Sequence, residues 1–384
     1  MTTKISIINV NDYDGIPEAT IGAIKLIENN FHFDFTKSKK ILLKPNLLTA
    51  KKDACTQPGF VEGILLYLKN FGVSMNNVYI GDSPGQSQKV GSDVAKKVGI
   101  YEICKSYGVN FVEFESENPS IEKIDSAKRL KEVHIAKVVK DCDVLINIPR
   151  LKSHLEATMT GAIKNYWGII PGGLKAHYHL FGKTTEQFGE VLTDNYSWIV
   201  KNKPNRLIVY DLQKIMEGRM GPSGGTMKEW DLILAGTDEV ALDLVALEIG
   251  KIKVKNVPHV KNSIDRNLGI GNLEDIEFIG MSLEEAKKQT PKFKVPGSHF
   301  TGLIAYMSGH IGYKIIKKIP ELIKSKCVQC GECAQNCASE AIEFKQNSYP
   351  TFIRKKCISC FCCAELCLEN AIKPKSRGLG GLFD

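Results

Sequence analysis

In the stretch Asp143-Val144-Leu145-Ile146-Asn147-Ile148-Pro149-Arg150-Leu151-Lys152-Ser153-His154, an apolar run of strand length passes directly into polar and cationic residues. A run this short and this apolar reads as a strand covered on both faces, with its functional groups gathered beyond its carboxyl end. Two other runs break in the same way: Ile41-Leu42-Leu43 into Lys44-Pro45-Asn46, and Val78-Tyr79-Ile80 into Gly81-Asp82-Ser83-Pro84-Gly85. Further strands are expected at Ile5 to Val10, Asn110 to Phe114, Arg206 to Tyr210 and Asp231 to Ala235. Helical periods fall between them, at Pro17 to Glu28, Gly59 to Phe71, Ser87 to Val98, Thr184 to Lys201 and Glu239 to Ile249. Strands separated by helices predict an α/β fold with parallel sheets and helices on both faces. The expected organisation is an α/β substrate-binding region over residues 1–300, in one piece or as two lobes (about 1–145 and 146–300). A connecting segment (301–319) and a small α+β ferredoxin-like domain (320–384) follow.

In parallel sheets ligands bind at the carboxyl ends of strands. The candidate substrate groups are therefore Lys44, Asn46, Thr56, Asp82, Ser83, Lys152, Asn165, Lys175 and Glu217. Taken singly, Asp82 and Ser83 read equally well as a turn and a helix cap. The densest stretch runs from Lys152 through Lys164-Asn165 and the loop Pro171-Gly172-Gly173 to His179, and holds His154, His177 and His179, three of the chain's eight histidines. His154, Lys164, His177 and His179 are the candidate catalytic residues; His177 and His179 share a side only if the segment is extended. The loop Glu217 to Gly225 offers bare backbone N–H groups that could cradle a carboxylate or phosphate, but it matches no nucleotide fingerprint.

With 43% hydrophobic and 24% charged residues, the 384-residue chain is neither disordered nor a small module. Its net charge of +8 is spread along the sequence, so nucleic-acid binding is not expected. The start of the chain lacks signal-peptide features, which predicts a cytoplasmic protein. Thr301 to Ile316 is apolar but interrupted by His310 and Lys314, and reads as a buried or interfacial segment rather than a transmembrane one.

Nine of twelve cysteines lie between Cys327 and Cys367. Cys327, Cys330, Cys333 and Cys337 are followed, thirty residues on, by Cys357, Cys360, Cys363 and Cys367, and Ala341-Ile342 recurs at the same offset as Ala371-Ile372. Short loops wrap three thiolates around one cube while the fourth reaches the other. This assigns Cys327, Cys330, Cys333 and Cys367 to one [4Fe-4S] cluster, and Cys357, Cys360, Cys363 and Cys337 to a second. Paired zinc sites or a disulfide knot are the alternatives; the three-cysteine runs favour clusters. Cys362 fits no ligand slot and reads as a packed or cluster-adjacent thiol.

The cysteine segment resembles bacterial-type two-cluster ferredoxins, with Ala338 and Leu368 where proline usually follows the fourth cysteine. The groups Lys44-Pro45-Asn46, Gly81-Asp82-Ser83, Pro149 to His154, Thr160 to Asn165, Glu217-Gly218 and Ala235-Gly236-Thr237-Asp238 resemble the family called domain of unknown function 362, often fused to such a module. The order of Thr56, Pro58, Ile80 to Gly85, His154, Lys164, Pro171-Gly172 and His179 is also similar to nickel-pincer lactate racemase proteins. That resemblance implies a cofactor-lysine place for Lys164, an acid-base place for His154 and a metal-ligand place for His179 or His177. Gln86-Ser87 stand where that family has a histidine-arginine pair, and the arginine near Thr56 is absent, so it implies a cleft between two α/β lobes rather than that reaction. The expected function is an oxidoreductase relaying electrons from two [4Fe-4S] clusters to a small anionic substrate, or to a further metal or organic cofactor, in the cleft. An electron donor or acceptor such as ferredoxin or flavodoxin would serve as partner. The alternatives are an iron-sulfur carrier, assembly or redox-sensing protein, or an isomerase braced by its clusters.

Overall fold

The computed structural model describes residues 2–85, 91–116, 118–296 and 318–375. In chain order the strands of the first 296 residues are β1 (Thr3–Asn9), β2 (Ile41–Pro45), β3 (Val78–Ile80), β4 (Asn110–Phe111), β5 (Ser120–Lys123), β6 (Glu132–Ile135), β7 (Val144–Ile148), β8 (Arg150–His154), β9 (Thr158–Thr160), β10 (Arg206–Glu217), β11 (Thr226–Gly236) and β12 (Ile276–Gly280). All but the β5–β6 hairpin join one mixed sheet in the order β12-β1-β11-β10-β7-β2-β3-β4, with β8 on β10 and β9 on β8. The fold is α/β with a large, largely parallel sheet: β11 runs against β1 and β10, β9 runs against β8, and the remaining pairs are parallel.

Alternation along the strands builds a core on each face. Leu42, Leu145 and Leu234 point to one side, where helices Thr185–Asn202 and Glu239–Ile249 cover them. Ile41, Leu43, Val144, Ile146 and Ile233 point to the other, under helices Ile16–Lys25 and Pro58–Asn70. The second of these starts on its proline, whose fixed φ suits the first helical turn. A helix also occupies Gly91–Val98; the start expected at Ser87 lies outside the described residues, as does the segment Thr301 to Ile316.

The sheet, largely parallel as expected, turns antiparallel at β10 and β11. Only residues 218–225 join them, fewer than the roughly ten to twelve residues a parallel crossover needs, so the chain turns back as a hairpin. Strands from both sides of residue 145 share the sheet, with β7 pairing both β2 and β10, so no boundary between two sheets falls there. Among the described residues no helix is long and apolar enough to cross a membrane.

The C-terminal residues 318–375 form two small antiparallel pairs, β13 (Ile319–Leu322) with β16 (Ile372–Lys375) and β14 (Ile342–Glu343) with β15 (Thr351–Phe352), plus helices Glu332–Gln335 and Cys362–Glu365. The thirty-residue repeat is visible in the backbone. Left-handed φ recurs at Gln329 (59°) and Ser359 (62°), Gly331 (79°) and Phe361 (62°), and Glu340 (49°) and Asn370 (50°). Gly331 is required by space as well, because a Cβ there would meet the Phe344 ring at 2.6 Å.

Candidate functional site

The carboxyl ends of β2 and β3 set the floor of a polar pocket. Lys44, the fourth residue of β2, is fully buried and its Nζ lies 2.7 Å from Asp82 Oδ1, while Asp82 Oδ2 accepts the Leu47 N–H at 2.6 Å. Burial pushes the Lys44 ammonium down and the Asp82 carboxyl up, and each partner opposes the other's shift. Gly168 presses on this pair so closely that any Cβ would collide with Asp82 Oδ1.

The next strand end contributes Lys152, whose Nζ donates to Asn46 Oδ1 and Ala54 O, both at 2.5 Å. Asn46 Nδ2 in turn donates to Asn165 Oδ1 at 2.9 Å, and Asn165 Nδ2 to Asn147 Oδ1 at 2.7 Å. Asn165 and Lys164 ride on the short helix Ala162–Asn165, anchored by Asp243: its carboxylate accepts the N–H of Ala162 at 2.7 Å and of Ile163 at 3.0 Å. Lys164 lines the pocket, and among the described residues its ammonium has no hydrogen-bond partner.

Burial drives Lys152 from 10.5 down to about 7. The unfolded chain keeps that proton up to about 10.5 while the folded chain releases it near 7, so the unfolded state binds more protons across this window and stability rises with pH through it. Lys152→Met is expected to lose this component. Urea titrations at pH 7 and 9.5 should show wild type gaining several kcal/mol on the variant at the higher pH; parallel pH profiles would contradict the assignment.

On the opposite wall Lys175 donates to Ile170 O at 2.7 Å and to Ser83 Oγ; Ser83 also takes the Gly172 N–H at 2.9 Å and donates to Glu115. Burial lowers Lys175 to about 8 against the opposing pull of Glu115 and Asp82. His179 Nδ1 lies 2.6 Å from Glu156 Oε2, and its ring stacks on Phe188 at 4.4 Å. Burial alone would depress His179, but Glu156 outweighs it and carries the imidazole up to about 9. His177 stands outside this group. Residues Leu174–Tyr178 are helical, so positions two apart diverge, and His177 is exposed on the far side.

His154 is buried and neutral, pushed well below 6.5 by burial and then by Lys164 and His179. Its Nδ1 accepts the backbone N–H of Glu156 at 3.2 Å and of Ala157 at 3.1 Å, so the imidazole proton sits on Nε2. That atom faces Glu365 Oε1 at 3.0 Å. Glu365, with Cys362 and Leu366, belongs to the C-terminal unit and closes the pocket from above; burial raises its carboxyl to about 7 against Lys164 and His179. The cavity, partly open, is about 70 Å³, enough for a ligand of a few heavy atoms. Ser223 Oγ donates to Glu365 O at 2.6 Å, and Lys51 Nζ to Cys367 O at 3.0 Å and Asn370 Oδ1 at 2.9 Å, fixing this cover to the α/β body.

The cysteines of the cover line two cavities. Cys327, Cys330, Cys333 and Cys367 border an outer one, and Cys337, Cys357, Cys360 and Cys363 an inner one. After burial, the thiols that push up Cys333 are those of Cys330, Cys367 and Cys327; after burial, those acting on Cys363 are Cys360, Cys333, Cys357 and Cys337, so the inner set also feels the outer. Cys337 Sγ accepts the Ala341 N–H and Cys367 Sγ the Ala371 N–H, each at 3.2 Å. Among the described residues no three ligand-type side chains gather as one metal ion requires. Thiolates on one tetrahedral zinc approach within about 4 Å of each other, whereas a cubane holds its four farther apart at its corners. Two sets of four thiols, each bordering its own cavity, are the donor set a pair of cubanes would take.

Of the residues expected from sequence, Asn46, Asp82, Ser83, Lys152, Lys164, Asn165, Lys175 and His179 line the pocket, and Lys44 and His154 contact its walls. Thr56 is structural: it donates to Ile148 O and accepts from Asn46 N, both at 2.7 Å. The Glu217 loop is the β10–β11 turn, and the N–H groups of Gly218, Gly224 and Gly225 are taken by Lys294 O, Met220 O and Met216 Sδ; Glu217 Oε2 takes the Lys294 N–H at 2.9 Å, while Ser223 contacts the cover. Glu115, Glu156 and Glu365 were missed, because nothing in local spacing ties an acidic residue to a histidine or lysine from a distant segment.

The profile of a family described as "Domain of unknown function (DUF362)" matches residues 41–248. A thylakoid-associated protein of Synechocystis sp. is 32% identical over 223 residues, which cover 57% of this chain and 65% of that relative's length. Among solved structures, the lactate racemase apoprotein of Thermoanaerobacterium thermosaccharolyticum aligns with TM-score 0.42 and 14% identity over 65% of this chain and 57% of that one. A Thermotoga maritima protein aligns with TM-score 0.38 and 15% identity, over 58% and 55%.

Proposed function

This chain belongs to the DUF362 family, and we propose that within it the protein is an oxidoreductase whose polar pocket receives electrons from the cysteine-rich cover. The observation that carries this reading is the shared wall. The loop Cys360 to Glu365 borders the inner four-cysteine cavity on one side and the lysine-lined pocket on the other. Two [4Fe-4S] clusters held by the two quartets would supply one-electron chemistry there.

The chain's own groups do the rest. Lys164, Lys152 and Lys175 present cationic donors to a small anion, and Asn46 and Asn165 hold the Lys152 side of the pocket in place. His154, neutral with its proton on Nε2, orients Glu365, and the Glu365 carboxyl, raised to about 7 by burial, is placed to deliver a proton as the bound anion gains negative charge. The cover narrows the pocket's access to water, which strengthens charge interactions inside. A cytoplasmic setting, where thiols stay reduced, suits the cysteine set.

The test is anaerobic reduction with dithionite followed by optical and paramagnetic resonance spectra in the presence of a panel of small carboxylic acids. At least one acid is expected to reoxidise the protein, and His154→Ala to abolish that response with iron content intact. Silence across the panel would favour a second reading, an electron carrier exchanging with a ferredoxin- or flavodoxin-like partner. The exposure of Cys330 and of Val328 (64%) beside the outer quartet is what favours that alternative.

A further inference from the structure

His259 is a buried histidine that the site described above does not use. It is the second residue of helix Pro258–Asp265 and has no solvent exposure. Its backbone is held firmly. The His259 carbonyl accepts from Ser263 Oγ at 2.7 Å and from Thr193 Oγ1 at 3.3 Å, and Gly189 admits the helix start so closely that a Cβ there would meet Pro258 Cβ at 2.5 Å. The ring is another matter: neither Nδ1 nor Nε2 has a hydrogen-bond partner among the described residues, whereas the His154 and His179 rings are both engaged. A neutral imidazole carries one N–H and one lone pair, and burying them unmade costs stability that a leucine of similar bulk would not. Packing alone does not account for a histidine here. The helix packs on Ala162–Asn165, the short helix that carries Lys164. Lys164 is the pocket lysine whose ammonium has no partner, while Lys44, Lys152 and Lys175 are each held. Burial, and after it the Lys164 charge, keeps His259 neutral, down at about 3, and a place in the first helical turn acts in the same sense.

We propose that His259 is a positioning residue for Lys164: its imidazole lone pair takes a hydrogen bond from the Lys164 ammonium when the pocket holds no anion, and rotation of the lysine side chain exchanges that bond for one to the anion. This rests on the reading of Lys164 as an anion-holding group. The acidic groups of the same wall are engaged elsewhere, Glu156 with His179 and Glu365 facing His154. A neutral acceptor keeps the ammonium near its working place, yet releases it more readily than a carboxylate would, because charge-assisted bonds are the stronger ones.

Full-length protein prepared without oxygen is treated briefly with acetic anhydride at pH 7, as wild type, His259→Leu, His259→Asn and His259→Gln, and acetylation of each lysine is read by mass spectrometry. Lys164 is half-buried, and the more deeply buried Lys152 and Lys175 report on the same pocket. Leucine removes the acceptor that favours the protonated amine, so Lys164 is expected to label faster, on the order of fivefold, with Lys152 and Lys175 unchanged. Asparagine or glutamine, which place an amide oxygen near Nδ1 or Nε2, is expected to restore the slow rate. Equal Lys164 rates in wild type and His259→Leu, acceleration of all three lysines together, or no rescue by either amide overturns the assignment. His259→Met takes the place of leucine if that variant does not fold, and failure of both apolar variants to fold marks a packing residue and overturns it as well. Calorimetric titration of wild type and Lys164→Met with acetate tests the underlying reading. No acetate uptake by wild type defeats the anion pocket, while the labelling ratios decide His259 separately, so the two failures are distinguishable.

Discussion

On the iron-sulfur reading, Cys360→Ser is expected to hold about four iron atoms per chain, and the wild type prepared without oxygen about eight. The same variant should expose the C-terminal unit to proteolysis. The central apolar cluster of that unit is Ile342, Phe361, Cys363, Ala364 and Ile372, with Ile319, Ala341, Cys362, Leu366 and Ala371 also buried, a small core against the conformational entropy of residues 318–375. On the iron-sulfur reading, metal binding supplies most of its folding free energy. Cys330→Ser removes a ligand from the outer quartet and should also lose about four irons, but it leaves the Cys360 to Glu365 wall in place. Comparing the two variants separates the slots: both lose iron equally, while only Cys360→Ser should also loosen the pocket, read as faster cleavage near Ser223 and Lys51, which latch the cover. Iron assay, zinc assay and limited proteolysis on the same preparations settle the matter. Zinc in place of iron, or an intact C-terminal unit in metal-free protein, would refute the cluster assignment.

What could be read from the sequence follows a physical divide. Apolar runs such as Ile41 to Leu43 and Val144 to Ile148 announce buried strands because nothing else tolerates so many branched side chains in so short a span. The break into polar residues after each run announces the ligand end of the sheet. Arg150 to His154 did not announce itself as a strand, because its side chains look solvent-loving. It is nonetheless buried, with Arg150 satisfied by the carbonyls of Lys214 at 2.7 Å and Cys55 at 2.6 Å and lying 3.4 Å from Asp211. Partners that distant along the chain leave no periodicity. The same holds for Glu365, which meets His154 only after the cysteine-rich unit folds over the sheet. The divergence of His177 from His179 turned on a single helical turn, one that the flanking glycines made hard to anticipate. The cysteine repeat, by contrast, carries its pairing in its spacing, and the recurring left-handed residues show both loops following one path.

Lys44→Met is expected to destabilise the α/β region by about 3–5 kcal/mol, the range for removing one partner of a buried ion pair. Lys44 is 0% and Asp82 3% exposed at the side chain, so water cannot replace the lost ammonium. Asp82 would be left with the Leu47 N–H and the nearby Lys175, and the latter is already committed to Ser83 and to the Ile170 carbonyl. The decisive comparison is the double variant Lys44→Met with Asp82→Leu. With both charges gone, the desolvation cost of the pair disappears too, and much of the loss should be recovered. Chemical denaturation of the three variants against wild type, monitored by tryptophan fluorescence, provides the cycle; Trp167 sits beside the site and Trp198 in the core beneath it. If Lys44→Met costs less than about 1 kcal/mol, the pair is not ionised in the folded protein and the pocket floor is neutral. A strong single-variant loss with recovery in the double variant instead fixes a charged floor, retained at a stability cost that apolar residues would avoid. Such a pair is hard to explain by stability alone, and its place at the ends of β2 and β3, beneath Lys175 and Ser83, ties it to what the pocket binds.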